Sequence, residues 1–242
     1  MEYFIKLGRS LAPLYYNFAS FVKEHASSPI LVSYRSGHPI KHALDHLGVE
    51  SKEFWINRSV AHFCLSNPVV RDYCIQQGIE NCTLVDNGYK GTISSSLKQS
   101  FPQAKINTML LLDMNLRKKS HTAFIGMHDN ADPDYFVDHD LAKALKFKIE
   151  TIPKQHEPIM PDEIFQVDKN GIPFAMPITD TEGKKRFDKF LAGMTEGYDF
   201  CTNDSEQFCD YLDQIQEVEE ETYASVFEKA DELLRRVEKV YV

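Results

Sequence analysis

The sequence predicts an α/β protein built on a doubly wound, mainly parallel β-sheet. Two observations predict this fold. Short apolar runs of the kind that form buried strands recur between residues 30 and 112. Most of these runs are followed by a segment with helical periodicity that ends near a Gly or a Pro. Strands that alternate with helices in this way are typical of a parallel sheet.

The elements follow one another in chain order. After Ser10, which is suited to cap a helix, apolar residues recur at helical spacing as far as Val22. Apolar runs predict strands at residues 30–34, 54–56, 82–85, 106–112 and 122–127. Periodicity and terminal signals predict further helices at residues 39–47, 69–77, 92–100 and 136–147. The unit of strand, tight loop and helix is therefore repeated.

The remainder of the chain has a different pattern. Between residues 149 and 177 it carries five prolines and the turn sequence Asp168 to Gly171, which predicts an extended or hairpin segment covering the sheet edge. From Lys184 onward the sequence is mainly helical and acidic. The predicted inward positions there are Tyr211, Ile215, Val218, Tyr223, Val226, Leu233 and Val237. We therefore divide the chain into an α/β phosphate-binding core, residues 1–148, and a cover with a C-terminal helical subdomain, residues 149–242.

Composition limits the classes of partner. The 242 residues are 43% hydrophobic and 26% charged, as in an ordinary globular protein. The formal net charge is −9, and the basic blocks at residues 117–119 and 184–186 are short, so we do not expect a duplex nucleic acid partner. A small anion remains compatible, because an anion site needs only a few amides and one or two cations.

The cysteines and the apolar runs predict a cytoplasmic protein. The five cysteines form no CxxC pair and no zinc-ligand spacing, so reduced thiols are the simplest interpretation. The sequence shows neither the pattern of a signal peptide nor an apolar run of about 18 residues, so we expect no membrane association. Composition leaves open whether the protein is a homo-oligomer.

The strongest candidate site is the segment that follows Val85. Its glycines allow positive φ angles and close backbone approach, and the helix after it directs amides and hydroxyls at one spot. An ordinary turn, with Asp86 as a capping residue and Lys90 solvated, is the alternative. The residues of this predicted ligand-binding turn are Asp86, Asn87, Gly88, Tyr89, Lys90, Gly91 and Thr92.

A second candidate loop follows Tyr34. Arg35 offers a guanidinium fork to a phosphate, Ser36 and Gly37 offer amides, and Pro39 begins the helix. A plain turn with a surface arginine is the alternative. Arg58, just after the next strand, belongs to the same sheet edge and is suited to a second anionic group or to a surface ion pair. Loops that follow neighbouring parallel strands lie at one edge of the sheet, so the two loops support each other.

Two groups of residues have metal-capable side chains. His42 and His46 lie four residues apart on a predicted helix, and with no third ligand we interpret them as surface histidines. The other group, between residues 128 and 140, matches neither the spacing of a calcium-binding loop nor that of a zinc protease. A solvated acidic loop followed by a helix N-terminus is the better interpretation. Its members are His128, Asp129, Asp132, Asp134, Asp138, His139 and Asp140.

With these loops located, the chain resembles the type I phosphoribosyltransferase fold. Residues 31–40 resemble that family's pyrophosphate-binding loop and helix, and residues 83–92 resemble its phosphoribosyl-pyrophosphate loop. The resemblance covers roughly residues 27–112. The family loop usually carries two adjacent acids, where this chain has Asp86 and Asn87, and the loop here is about one residue shorter.

The resemblance implies a set of roles. The segment from Arg35 to Gly37 would hold pyrophosphate, Asp86 would contact the ribose hydroxyls, and the segment from Gly88 to Thr92 would hold the 5-phosphate. Mg²⁺ would neutralise the leaving group. Arg35 and Asp86 would then be the catalytic residues.

A second resemblance covers more of the chain. Residues 34–37, 56–59, 85–92 and the stretch from 149 to 173 are similar to a poorly characterised region attached to haloacid-dehalogenase-like domains. That region is found in bacterial proteins linked to surface-polysaccharide synthesis. It implies no defined activity, and the dehalogenase signature Asp-x-Asp is absent, so no phosphatase is predicted.

Three functional hypotheses follow. The first is a phosphoribosyltransferase that acts on an unknown acceptor. The second is a non-catalytic module that recognises a nucleotide or a sugar phosphate, and Asn87 in place of a second acid favours it. The third is an interaction protein that uses the acidic helical C-terminus, with loops that are only structural.

Overall fold

The computed structural model describes residues 2–27, 29–34, 37–56, 58–114, 121–127, 133–156, 165–167, 173–175 and 181–216. Its strands are β1 Ile30–Tyr34, β2 Lys52–Trp55, β3 Asn81–Tyr89, β4 Lys105–Asp113, β5 Thr122–Gly126, β6 Tyr135–Phe136, β7 Phe165–Val167 and β8 Pro173–Ala175. Its helices are α1 Glu2–His25, α2 His38–His46, α3 Arg58–Phe63, α4 Pro68–Gln76, α5 Thr92–Ser100, α6 His139–His156, α7 Thr181–Tyr198 and α8 Ser205–Gln216.

The main sheet confirms the predicted α/β class. Its six strands are all parallel and run in the order β2-β1-β3-β4-β5-β6. Strand β1 lies between β2 and β3, with Leu31 opposite both Lys52 and Leu84. The strand order therefore reverses direction at β1 and β3, and in open parallel sheets this is where ligand crevices form.

Helices cover both faces of the sheet. Strand residues such as Val32 and Val85 belong to one core with α1, α2, α6, α7 and α8. Their neighbours Leu31 and Leu84 belong to a second core with α3, α4 and α5. Alternate strand residues thus point to opposite layers, as a doubly wound sheet requires.

The first helix is longer than predicted. It begins at Glu2, and Ser10 is not its cap but a buried residue inside it, with the hydroxyl donating to the Leu7 carbonyl at 2.8 Å. Phe4 and Leu7 extend the apolar face toward the N-terminus and lie in the same core as Phe190 of α7. Burial of this face outweighs the local capping preference of Ser10.

Helices α1 and α7 pack closely through glycines. A Cβ at Gly193 would meet the backbone of Ile5, and one at Gly8 would collide with the Phe190 carbonyl oxygen. Because α7 and α8 share the core with α1 and the sheet, residues on both sides of position 149 form one packed unit. Helix α6 itself runs through position 149.

Other elements differ at their ends. Strand β3 continues through Tyr89, so the predicted loop 86–91 is wrong over its first four residues. Three of them, Asp86, Gly88 and Tyr89, pair with β4, and the neighbouring strand therefore determines where β3 ends. Helix α6 begins at His139 rather than at Phe136, because the Asp138 carboxylate accepts the amides of Asp140 and Leu141.

The last part of the chain supports two further predictions. Strands β7 and β8 form an antiparallel pair on either side of residues 168–172, as a hairpin requires. The predicted inward residues Tyr211 and Ile215 are buried. The other predicted inward positions, Val218, Tyr223, Val226, Leu233 and Val237, lie outside the described residues. None of the described helices combines the length and the apolar composition that a membrane span requires.

Candidate functional site

Two helices begin at the edge of the sheet where β1 and β3 end. Helix α2 follows β1 and has Gly37 as its N-cap, and α5 follows β3 and has Gly91 as its N-cap. Neither cap residue contributes a side-chain hydrogen bond. Because β1 and β3 are neighbours, both N-termini lie at the point where the strand order reverses.

The turn between β3 and α5 has an unusual backbone. Gly88, Tyr89 and Gly91 all have positive φ angles, of 100°, 75° and 57°. A side chain at position 88 would collide with the carbonyl oxygen of Leu112, so the close approach of β4 requires glycine there. Tyr89 is the only non-glycine residue with positive φ in the described part of the chain, and such strain is frequent at binding sites.

The N-terminus of α5 is shaped to receive an anion. Gly91 is left-handed, with φ 57° and ψ 31°, and the helix follows it directly. The first intrahelical bond runs from the Ser95 amide to the Gly91 carbonyl at 2.9 Å, so the amides of Thr92, Ile93 and Ser94 precede it and have no acceptor within the helix. These donors lie at the positive end of the helix dipole. The imidazole of His121 packs against the Cα of Gly91.

Asp86 lies beside this N-terminus on the face covered by α3, α4 and α5. Its half-buried carboxylate accepts hydrogen bonds from the Ser33 hydroxyl and from the amides of Asn87 and Gly88. Burial raises the pKa of Asp86, and these bonds together with the Arg58 guanidinium act in the opposite direction. The structure therefore places the charge of the exposed Arg58 within electrostatic reach of Asp86, in line with their predicted shared edge.

The other residues of the predicted turn are divided between two faces. Asn87 and Tyr89 alternate with Asp86 and are buried, and Tyr89 belongs to the core that contains α1 and α6. The Lys146 ammonium of α6 lies 5.3 Å from the centre of the Tyr89 ring. Lys90 is exposed. Among the residues of the predicted turn, Asp86 is thus the one that offers a carboxylate to a ligand on its side of the sheet.

The loop after β1 is described in part. Arg35 and Ser36 lie outside the described residues, whereas Gly37 is buried, and a Cβ on it would collide with the Ser33 carbonyl oxygen. Next to it, the Tyr34 hydroxyl lies 2.7 Å from His38 Nδ1 and donates to a Glu53 carboxylate oxygen at 3.1 Å. Burial lowers the pKa of His38 to about 4. His38 is therefore neutral at neutral pH. Because the Tyr34 hydroxyl donates its hydrogen bond to Glu53, its oxygen accepts from His38, and Nδ1 is the ring nitrogen that carries the proton.

Three residues near the site were not predicted from the sequence. Ser33 interrupts the apolar run of β1, and this polar residue within a buried strand was the signal in the sequence that pointed to the site. Asp113 ends the apolar run of β4, is buried and lies opposite Tyr89. His121 carries no local signal, because its contact with Gly91 exists only in the folded chain.

The metal-capable groups form no cage in the described structure. Asp138 caps α6, while Asp134, His139 and Asp140 are exposed, and residues 128–132 lie outside the described ranges. His46 is exposed as predicted, but His42 is half-buried, with Nε2 2.9 Å from the Thr195 hydroxyl. No group of three His, Cys, Asp or Glu side chains among the described residues is arranged to hold a metal ion. All five cysteines are free thiols.

No protein-family model, curated protein or solved structure matches this chain. The geometry at the ends of β1 and β3 is therefore the basis for inferring a function.

Proposed function

We propose that this protein binds a phosphorylated sugar or nucleotide of the phosphoribosyl pyrophosphate class at the ends of β1 and β3. The observation that carries the proposal is the juxtaposition of two features. The left-handed cap at Gly91 presents the first amides of α5, and the Asp86 carboxylate lies on the same face. Amides at a helix N-terminus bind phosphate, and a neighbouring carboxylate accepts hydrogen bonds from sugar hydroxyls.

Each part of the ligand has a suitable partner. The terminal phosphate would lie on the amides of Thr92 and Ile93, and the ribose hydroxyls would donate to Asp86. A second phosphate group would lie at the N-terminus of α2, within reach of the loop that carries Arg35. Arg58 would contribute positive charge on the Asp86 side, where its guanidinium already interacts with the carboxylate.

Magnesium would enter this site already bound to the phosphorylated ligand. The described residues form no group of three metal-binding side chains, so they do not fit a protein-held magnesium ion. A pyrophosphate ligand carries its own magnesium, which is commonly held by phosphate oxygens, water and one or two carboxylates. We therefore assign no step to the metal.

Binding without turnover is better supported than phosphoribosyl transfer. Asp86 already accepts three hydrogen bonds, and its neighbour Asn87 is neutral and buried. A transferase would need the groups at the ends of β1 and β3 to stabilise the charge that develops during the reaction. Recognition needs only amides that bind a phosphate and one contact to the sugar. Transfer to an unknown acceptor remains the second candidate, because the sugar-phosphate contacts it requires are the same.

Calorimetric titration with phosphoribosyl pyrophosphate and magnesium, followed by a pyrophosphate-release assay, tests the proposal. We expect saturable binding that is lost in Asp86→Ala and retained in Asp140→Ala, since Asp140 is exposed and distant in sequence from the site. Release of pyrophosphate would favour the transferase. Absence of binding, or equal binding by Asp86→Ala, would refute both functions at this edge.

A further inference from the structure

Cys64 and Cys74 form a close pair of thiols next to the candidate site. Cys64 follows α3 directly, Cys74 lies inside α4, and their sulfur atoms are 3.4 Å apart. Both side chains are buried in the core beneath β1, β2 and β3. This distance is close to van der Waals contact between sulfur atoms, so a small movement of the side chains brings the atoms to bonding distance.

The two thiols are not equivalent. The hydrogen bond from Cys74, helped by the nearby Arg71 guanidinium, lowers the pKa of Cys64 against the opposing effect of burial, whereas the hydrogen bond to Cys64 and burial both raise the pKa of Cys74. Cys64 also immediately precedes the exposed residues Leu65 and Ser66. Because the turn lies at the surface, its local opening would expose Cys64 to a small oxidant without unfolding of the core.

We propose that Cys64 and Cys74 are a redox-active pair that peroxide converts to an intramolecular disulfide in the folded protein. The Cys64 thiolate attacks the peroxide, forming a sulfenic acid and releasing water after proton transfer. The Cys74 sulfur then attacks the sulfenic sulfur, the S–S bond forms and a second water leaves. The two thiols lose two electrons and two protons, and the peroxide is reduced to two waters.

The disulfide would also act on the end of β2. The residue next to Cys74, Tyr73, accepts a hydrogen bond from the Trp55 amide through its hydroxyl at 3.1 Å. The other end of α3 carries Arg58, which interacts with Asp86. A bond between the end of α3 and α4 therefore alters the packing around Trp55, the one tryptophan in the chain. A lower ligand affinity of the oxidised protein would follow as well, and that part alone rests on the proposed function.

The experiment treats the folded Cys82→Ser protein with stoichiometric hydrogen peroxide. This background is needed because trypsin cleaves after Arg71 and leaves Cys74 and Cys82 on one peptide. We expect a disulfide between the Cys64 and Cys74 peptides, a Trp55 emission change, and reversal of both by dithiothreitol. Cys74→Ser should lose the bridge and the emission change.

Three outcomes would overturn the proposal. They are oxidation confined to the exposed Cys209, a bridge that forms only in denaturant, or a bridge that leaves Trp55 emission unchanged. None of these readouts depends on the phosphate ligand. A failure of ligand binding is therefore distinguishable from a failure of the redox pair.

Discussion

The Ser33 hydroxyl on β1 donates a hydrogen bond to the Asp86 carboxylate on β3, and this contact joins the two strands whose loops form the candidate site. It holds the carboxylate on the side of the sheet where α5 begins. Because the bond favours the charged form, Ser33→Ala should raise the pKa of Asp86 further. Carboxyl-carbon NMR titration of Asp86 measures this directly, and an unchanged or lowered pKa would contradict the assigned contact.

Asp86 itself should cost stability at neutral pH. Burial raises the pKa of Asp86 in the folded protein, so its charged form lowers the free energy of unfolding at pH values above the folded pKa. This destabilisation disappears as the pH falls below the pKa of Asp86 in the unfolded chain. Asp86→Asn should therefore unfold at higher urea concentration than wild type at pH 7 while losing ligand binding. This stability difference should shrink toward pH 4. A less stable variant at pH 7 would show that the carboxylate is structural.

Gly91→Ala should weaken phosphate binding and stability together. Gly91 has φ 57°, and a Cβ there would collide with the His121 ring, so the ring, the turn or both must move. Gly48→Ala is the matched control, because Gly48 has φ 67° and nothing within 4 Å of the added carbon. We expect the control to cost about 1 kcal/mol in urea unfolding and to leave binding unchanged. Equal effects of the two variants on binding would refute an anion site at the N-terminus of α5.

His38 should make the protein less stable in mild acid. Burial lowers its pKa from 6.5 to about 4, so between these values the unfolded chain holds a proton that the folded chain lacks. Stability is therefore lost as the pH falls through this range, by up to about 2 kcal/mol at pH 5 relative to pH 7. His38→Gln should flatten this part of the curve. An unchanged curve in His38→Gln would contradict the assignment.

The contact between α1 and α7 should not tolerate a side chain at Gly193. A Cβ there meets the backbone of Ile5, which cannot rotate away, so Gly193→Val should cost at least about 2 kcal/mol in urea unfolding. The neighbouring Ala192 is exposed on the same helix, and Ala192→Val should cost only about 0.5 kcal/mol. Similar losses in both variants would show that the helices do not approach as described.

The fold was predictable where local chemistry decides it. Strand β1 and helix α5 lie at their predicted residues, because an apolar run and a terminal glycine determine them locally. Strand β3 was predicted four residues short, since its extension depends on pairing with β4. The placement of Asp86 and Arg58 at one edge followed from parallel topology. The contacts of Ser33, His121 and Asp113 arise from tertiary packing, which no local pattern encodes.

Amide NMR titration with ribose 5-phosphate tests the central claim most directly. If the phosphate binds at the start of α5, the amide resonances of Thr92 and Ile93 should shift most and saturate with the ligand, and Asp86→Ala should weaken that saturation. The amides at the start of α4, which is capped by the Asn67 side chain, provide an internal control and should not move. Saturable binding with unmoved Thr92 and Ile93 resonances would contradict the account.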